Sequence, residues 1–337
     1  MANITFNFAS GLNDSIFGKS QAPIKMFLEK KGEAFEQKSM INEIFNVDQD
    51  TSWGVKLSTM TAMEGFKPVG ELGHHPVDGS QEGFSKTIEH MVWKDRFSIS
   101  REAVDDAKVI DLKKRPAQFI TGYYRTRERF AAALMGAAIQ KMNAANVAGV
   151  SFDTTAADKK CLFATDHPSV LAKSRTQTNQ FADALSKDAL AAMETEMQNF
   201  KGDNNEILDV VPDTILIPND FELKMQLFEI LGATKDPETA GSNGFNYLFG
   251  RWNVIVWPYL NQFIKAGTKP YIMLASEYNK DYGGAVWYDR KELEMTSWID
   301  HDTNANVWDG YARFGAGFND WRAFAVGGVD GGTTLVG

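Results

Sequence analysis

Between positions 50 and 145 the alternation of apolar and polar residues predicts a strand, a long polar excursion, a second strand and one unbroken helix. Trp53, Val55, Leu57 and Thr59 share one side of a period-two pattern, with Lys56 and Ser58 opposite. That pattern predicts a half-buried strand within Trp53 to Met63. Residues 64–85 then carry five glycines and two prolines and little apolar order. A stretch of about twenty residues without structure of its own is uncommon inside one domain and points to a functional arm or a disordered segment. Alternation resumes with Phe84, Lys86, Ile88, His90, Val92 and Lys94 against Ser85, Thr87, Glu89, Met91 and Trp93. The two strands and their polar tip make one long hairpin. A monomer gains little by projecting it, so the tip is expected to lie on a neighbouring subunit.

Pro116, at a position tolerated in a first turn, is expected to open a helix that continues to about Asn143. Phe119, Tyr123, Phe130, Leu134, Ala138 and Met142 form its apolar stripe, and Arg125, Arg127, Glu128 and Arg129 load one turn with charge. At ~1.5 Å per residue, roughly 28 residues span about 42 Å, the width of a domain, so this helix is expected to act as a spine.

The remainder predicts an α+β chain without repeats. Residues 1–50 are mixed, with short apolar pieces at Ile24–Phe27 and Ile41–Val47, and are expected to form an extended arm; Asn3–Phe8 alternates like a strand rather than a leader. Cys161–Ala164 is expected to be a short buried strand before the turn at Asp166-His167-Pro168, and the polar residues 171–180 a boundary. Ser186 is expected to cap a helix to Phe200 that buries Leu190, Met193 and Met197. Asn219 is expected to cap a second, with Glu222 at the capping-box position and Leu223, Leu227 and Leu231 inward. Strands at Thr214–Ile217, Trp252–Trp257, Tyr271–Ala275 and Ala285–Tyr288 would complete a second unit, followed by strand-like Lys291–Ile299 and Val307–Phe318 and a glycine-rich tail.

Composition narrows the function classes. With 337 residues and 43% hydrophobic content, the chain can bury a sizeable core in one large or two medium domains. No apolar run approaches the ~18 residues of a membrane span. The single cysteine, Cys161, excludes an internal disulfide and fits a reducing compartment. A net charge of −9 disfavours broad electrostatic attraction to nucleic acid, although an acidic chain can enclose DNA without gripping it.

Several constellations resemble chemistry and lack its requirements. Gly18-Lys19-Ser20 has the end of a phosphate-binding loop, but Asn13 holds the place of the first glycine. Asp300, Asp302 and Asn304 have the opening spacing of a calcium loop, but Ala305 replaces its glycine and Tyr311 its glutamate. Glu71, His74 and His75 lack the helical spacing of a zinc site. Cys161, Asp166 and His167 have no assured geometry as nucleophile and base; the thiol reads as a core residue, and Asp166 as a turn residue bonded to local backbone. Gly315 and Gly317 fail as a dinucleotide fingerprint because Asp320 occupies the third glycine position. The eight tryptophans sit in or beside predicted strands, as core and subunit contacts would require.

The order of elements, the turn Leu162-Phe163-Ala164-Thr165-Asp166-His167-Pro168 and the later Val211-Pro212-Asp213-Thr214-Ile215-Leu216-Ile217-Pro218 resemble a Mu-like major head subunit. Ala312-Arg313-Phe314-Gly315 to Trp321-Arg322 adds weaker support, and the resemblance covers roughly residues 50–325. It implies the Hong Kong 97-type fold of tailed-phage capsids. Residues 1–61 would be the N-terminal arm and first strand, 62–98 the extended loop and 99–180 the peripheral domain with spine helix 116–143. Residues 181–289 would be the axial domain, and 290–337 the returning peripheral strands and tail. It implies self-association into hexamers and pentamers of an icosahedral shell around double-stranded DNA, without sequence-specific binding. Partners would be a portal, a separate scaffolding protein and, where the phage has one, a decoration protein, with assembly in the bacterial cytoplasm.

No cofactor, metal, membrane or catalytic residue is expected. Candidate contacts between subunits are Phe66, Lys67, Pro68, His74, His75, Phe84 and Lys86 in the loop and Arg125, Arg127, Glu128 and Arg129 in the spine. Some relatives join a loop lysine to an asparagine covalently; Lys67 and Lys86, with Asn304, Asn306 and Asn319, are residues of the right type, too common to carry that chemistry. The nearest alternative is an encapsulin-like compartment shell, distinguished by its cargo. A metal- or nucleotide-dependent hydrolase is the alternative from another class.

Overall fold

The computed structural model describes residues 5–8 (backbone only), 30–60, 66, 68–71, 73–75, 77, 82–102, 109–232 and 246–335. Its strands are β1 (Thr5–Phe8), β2 (Asn46–Gln49), β3 (Gly54–Met60), β4 (Glu82–Glu89), β5 (Met91–Ile99), β6 (Ala144–Val147), β7 (Val150–Asp153), β8 (His167–Pro168), β9 (Thr176–Gln177), β10 (Thr214–Pro218), β11 (Asn253–Trp257), β12 (Tyr271–Leu274), β13 (Ala285–Ile299), β14 (Asn306–Phe318) and β15 (Phe324–Gly327). Its named α-helices are α1 (Ile41–Ile44), α2 (Val109–Ile139), α3 (Lys187–Gln198), α4 (Phe221–Gly232) and α5 (Ser276–Tyr282). The phosphate-loop match at Gly18-Lys19-Ser20 and the apolar piece Ile24–Phe27 lie outside the described residues.

Two sheets flank the spine. In the first, β13 pairs antiparallel with β14 along one edge, and its other edge is shared by β2 at Val286–Asp289 and β1 at Glu294–Ser297, both parallel. β5 then pairs antiparallel with the far side of β14. The second sheet runs β11-β10-β12-β15. β10 is buried at every position, which is why its sequence is a continuous apolar run rather than an alternation.

These pairings correct several expectations. Part of the expected arm is woven into the first sheet as β1 and β2. Ala285–Tyr288 and Lys291–Ile299 are one strand of the first sheet, continuous through irregularities at Asp289/Lys291 and Lys291/Glu294. β15, from the segment expected to return to the peripheral unit, completes the second sheet instead. Cys161–Ala164 is not a strand; Cys161 makes one isolated bridge to Thr155. Ser186 caps α3 as expected, accepting from the Ala189 N–H. The residue that caps α4 is Asp220, which accepts from the N–H groups of Glu222 and Leu223, while Asn219 accepts from Lys224 Nζ.

The spine α2 has 31 residues and a length of about 46 Å at ~1.5 Å per residue. It starts before Pro116 and stops before Asn143, so the proline is inside the helix, where it removes one backbone bond. Leu112 to Arg115 are good helix formers, and the packing of the remaining turns outweighs the proline. From Phe130 to Ile139 every residue is buried. Ala131, Ala132, Ala133, Gly136, Ala137 and Ala138 make that possible by letting neighbours approach the backbone. A Cβ on Gly136 would lie 2.5 Å from Phe263 Cβ. The expected stripe therefore broadens into burial on all sides, and Met142 falls beyond the helix, half exposed.

The charged turn fixes where this buried segment begins. Arg127 donates to both oxygens of Asp289 at 3.0 and 2.8 Å and to Tyr123 Oη at 3.0 Å. Its guanidinium lies over Trp287 at 4.9 Å and Phe314 at 5.5 Å, and the Trp287 indole N–H also donates to Asp289, at 3.0 Å. Burial alone would lower the Arg127 pKa; Tyr123 and Asp289 reverse this and hold it above its ordinary value. Glu128 accepts from Ser39 Oγ at 2.5 Å, the Met40 N–H at 3.1 Å and Trp257 Nε1 at 3.0 Å. One turn of helix thus ties β13, the segment before β2 and the end of β11 together.

Removing one member of a buried pair strands the other. Asp289→Ala is expected to lower unfolding free energy in urea by about 3–5 kcal/mol. Arg127→Met/Asp289→Leu should recover all but about 1–3 kcal/mol, the cost of orphaning the Trp287 N–H. Wild-type stability in Asp289→Ala would show that the pair does not hold the spine.

Candidate functional site

The hairpin of β3 and β4 is built from its root outward. Gly54 faces Glu89, Val55 faces Ile88, Leu57 faces Lys86, and the register slips between Ser58 and Met60. Directly opposed residues in an antiparallel pair share a face, so Val55, Leu57, Ile88 and Lys86 form one row. Ile88 packs with Val286 and Tyr288 of β13, with Val55 and Leu57 against them. At the root, β4 lies so close to β14 that a Cβ on Gly315 would overlap the Glu89 carbonyl oxygen. A Cβ on Gly317 would sit 3.0 Å from Ile88 Cδ1.

Two polar contacts fix the angle of the arm. Lys86 Nζ lies 3.1 Å from Asp153 Oδ2 of β7 and donates to the Thr155 carbonyl. Burial pulls the Lys86 pKa below its ordinary value, and Asp153 opposes that shift. His90, buried where β4 gives way to β5, lies 3.4 Å through Nε2 from Asp50 Oδ2. The two chain segments that enter and leave the hairpin are therefore joined at its base. After His90 the chain continues as β5 into the first sheet, so the paired strands of the hairpin are Gly54–Met60 and Glu82–Glu89.

The tip has the opposite character. Phe66 is 109% exposed and Val77 97%, with Pro68, Val69, His74 and His75 also open. Lys67 lies outside the described residues. Phe84 is half-buried on β4. Lys86 is turned inward and paired, which leaves its ammonium engaged within the chain. Of the spine candidates, Arg125 and Arg129 are exposed, whereas Arg127 and Glu128 point inward to the partners described above. Helix periodicity could not show that the first sheet and Trp257 supply partners for these two side chains within the chain. A cavity of about 600 Å3 beside this turn is lined by Phe35, Tyr124, Trp257 and the two charged residues, among others.

The enzyme-like constellations resolve into turns and core. Cys161 is buried, its Sγ 3.4 Å from the Ala138 carbonyl oxygen, and burial pushes its thiol pKa up. His167 is buried between Asp158 Oδ2 at 2.6 Å and Asn179 Oδ1 at 3.1 Å, and stacks on Trp321 at 4.2 Å. Asp166 is paired not with local backbone but with Lys160 at 2.5 Å. Asp300 accepts from the Asp302 N–H and Thr303 Oγ1, an ordinary turn at the end of β13. Among the described residues no group of three or more His, Cys, Asp or Glu is placed to hold a metal. No described helix is long and apolar enough to cross a membrane.

Comparisons with known proteins identify the family and the fold. The family model described as "Phage capsid protein" matches residues 85–327, more than half of the chain. A solved structure from Mycobacterium phage Patience superposes with a TM-score of 0.51 at 14% identity, covering 100% of this chain and 95% of that one. One from Microbacterium phage Oxtober96 gives 0.49 at 9% identity, covering 86% and 90%. The procapsid of bacteriophage JBD30 gives 0.42 at 12% identity, covering 91% and 75%. No curated protein sequence matches. With the family matched over β4 to β15 and the fold shared along the whole chain, the protein belongs to the phage capsid protein family and is a major capsid protein of the Hong Kong 97-type fold.

Proposed function

We propose that copies of this chain form hexamers and pentamers that close an icosahedral shell around double-stranded DNA, each hairpin lying on an adjacent subunit. The observation that carries this is the exposure of Phe66 and Val77 at the end of an arm whose root is locked by Lys86, His90 and the glycines of β14. A side chain such as Phe66 loses favourable burial of about 1.5–3 kcal/mol while it stays in water. A neighbouring copy recovers that, and repetition around a shell multiplies weak contacts. On this proposal β3, β4 and their tip are the extended loop, α2 and the first sheet the peripheral part, and the second sheet with α3 to α5 the axial part. DNA is enclosed without sequence-specific contacts, as the charge of −9 favours. The shell assembles in the bacterial cytoplasm around a separate scaffolding protein and a portal.

Deleting residues 66–83 is expected to leave a folded chain that forms no closed shells, read by light-scattering mass and negative-stain electron microscopy. Normal shells from the deletion would sink the proposal.

A fixed arm angle is part of the same mechanism. Lys86→Met is expected to keep the melting temperature within a few degrees yet raise amide hydrogen exchange in β3 and β4 several-fold and reduce shell yield. Unchanged exchange would show that Asp153 and Thr155 do not hold the arm.

A further inference from the structure

The glycine-rich segment after β15 is not a loose tail. Residues 179–183 lie along the free edge of β15 as a further parallel strand of the second sheet: the Phe181 N–H donates to the Val326 carbonyl at 2.8 Å, and the Val326 N–H to that of Asn179 at 2.9 Å. Beyond Gly327 the chain crosses over this strand and pairs with its other edge. There the Thr333 N–H donates to the Gln180 carbonyl at 2.9 Å and the Ala182 N–H to that of Thr333 at 3.0 Å. Residues 328–335 therefore clasp the strand. The Gly328 N–H meets the Asp183 carbonyl at 2.9 Å at one end of the clasp, and the Leu335 N–H meets Asp183 Oδ2 at 2.7 Å at the other. The loop needs its glycines: Gly328 and Gly331 have φ of +71° and +70°, and a Cβ on Gly332 would overlap the Phe181 backbone.

The clasp makes a second tie between this sheet and the end of the spine. On the β11 side the tie is tight: Gly136 of α2 packs against Phe263 with no room for a Cβ, Gln140 donates to the Phe263 carbonyl, and Trp257 is fully buried. At the opposite edge the tie is Lys141 Nζ, just beyond α2, which donates to the Gly331 carbonyl at 3.0 Å. Little apolar surface secures that edge. Val329 is buried and Leu335 half-buried, while Asp330, Gly331, Thr333 and Thr334 are exposed. In the clasped strand both polar atoms of the Gln180 side chain are buried without a hydrogen-bond partner among the described residues, a cost carried while the strand is enclosed. Few buried apolar contacts, exposed backbone bonds and glycines that regain freedom on release place such a segment at the low end of opening free energies.

We propose that residues 328–335 are a latch that opens and closes while the rest of the chain stays folded. Closed, it ties the second sheet to the end of the spine at both edges; open, it leaves the β11 edge as the pivot. This rests on the shell proposed above, in which one sequence fills rings of five and of six and so needs two settings of the same copy. The latch supplies them at a joint inside the chain, separate from the hairpin and from any contact between copies.

Amide hydrogen exchange in the unassembled full chain reads the latch directly, because adjacent amides of one strand face opposite edges. Ala182 and Thr333, bonded across the clasp, are expected to exchange at least about 100-fold faster, relative to their intrinsic rates, than Phe181 and Val326, bonded within the sheet. Thr333→Pro removes the donor to Gln180 and is expected to abolish protection at Ala182, keep it at Phe181 and leave melting within a few degrees. Equal protection at Ala182 and Phe181 in the full chain, or its loss at both in the variant, would overturn the proposal. The part the latch plays in assembly is read from Thr178→Cys/Thr333→Cys, whose native hydroxyls lie 3.4 Å apart, oxidised to hold the latch shut. By negative-stain electron microscopy the oxidised chain is expected to form no closed shells and the reduced chain normal ones; closed shells from both would show that the latch need not open. If neither the reduced variant nor the wild type closes shells, the shell reading fails, while hydrogen exchange still decides the latch.

Discussion

A helix segment buried on every side has no amphipathic pattern to orient it, so its position is set where it leaves the core. In this chain that place is the turn holding Arg127 and Glu128. Behind it, Phe130 to Ile139 are all buried, with alanines and Gly136 giving little directional packing of their own. The guanidinium of Arg127, clamped by Asp289 and sandwiched against Trp287 and Phe314, gives the helix a fixed rotation relative to β13. Glu128 does the same for the segment before β2 and for Trp257. An ion pair so placed specifies geometry more than it adds stability, because desolvation offsets much of its attraction.

The same division of labour recurs in the hairpin. Its root is fixed by short contacts that tolerate no added volume, Gly315 against Glu89 and Gly317 against Ile88, and by polar bonds from Lys86 and His90. Its end carries apolar residues with no partner among the described residues of the chain. If the tip docks on a neighbouring copy as proposed, rigidity at the root lowers the entropy lost, which is how a small apolar contact becomes worth forming.

Local chemistry made much of the fold legible. Period-two alternation placed β3, β4, β5 and β14, helical spacing placed α3 and α4, and Ser186 marked the cap of α3 because capping is decided within four residues. What failed was non-local. Alternation runs unbroken through His90, so the change of partner from β3 to β14 left no trace in the pattern. β15 and β2 are short, and the strands they pair with lie far away in sequence. Asp220 rather than Asn219 caps α4, a choice between adjacent residues of nearly equal capping strength. Of the candidate contacts, Phe66 is exposed, whereas Arg127 and Glu128 looked like surface charge because Asp289, Ser39 and Trp257 are remote in sequence. The apolar residues Phe221, Met225 and Phe228 were present in the sequence of α4, but composition alone does not distinguish a second exposed face from a wider buried one.

Placing stability and association in different residues has a consequence for assembly. The groups that hold the monomer, namely the Arg127–Asp289 pair, the aromatic stack of Trp93, Phe314 and Trp287 and the alanine-rich spine, are inside and unaffected by neighbours. The apolar surface left outside is spread over several places, among them the hairpin tip, one face of α4, Trp53, Met142, Leu171, Ile207 and Val211, and none of these parts is large. In the proposed assembly each contact alone would form weakly and reversibly, so a wrongly placed copy could leave. A copy engaged at one site would be presented to the others at high effective concentration, and several together bind far more tightly than any one. Geometry would then select the product, since only an arrangement that satisfies all of them in every copy gains that increase. A chain with one larger sticky patch would associate sooner and correct its errors more slowly.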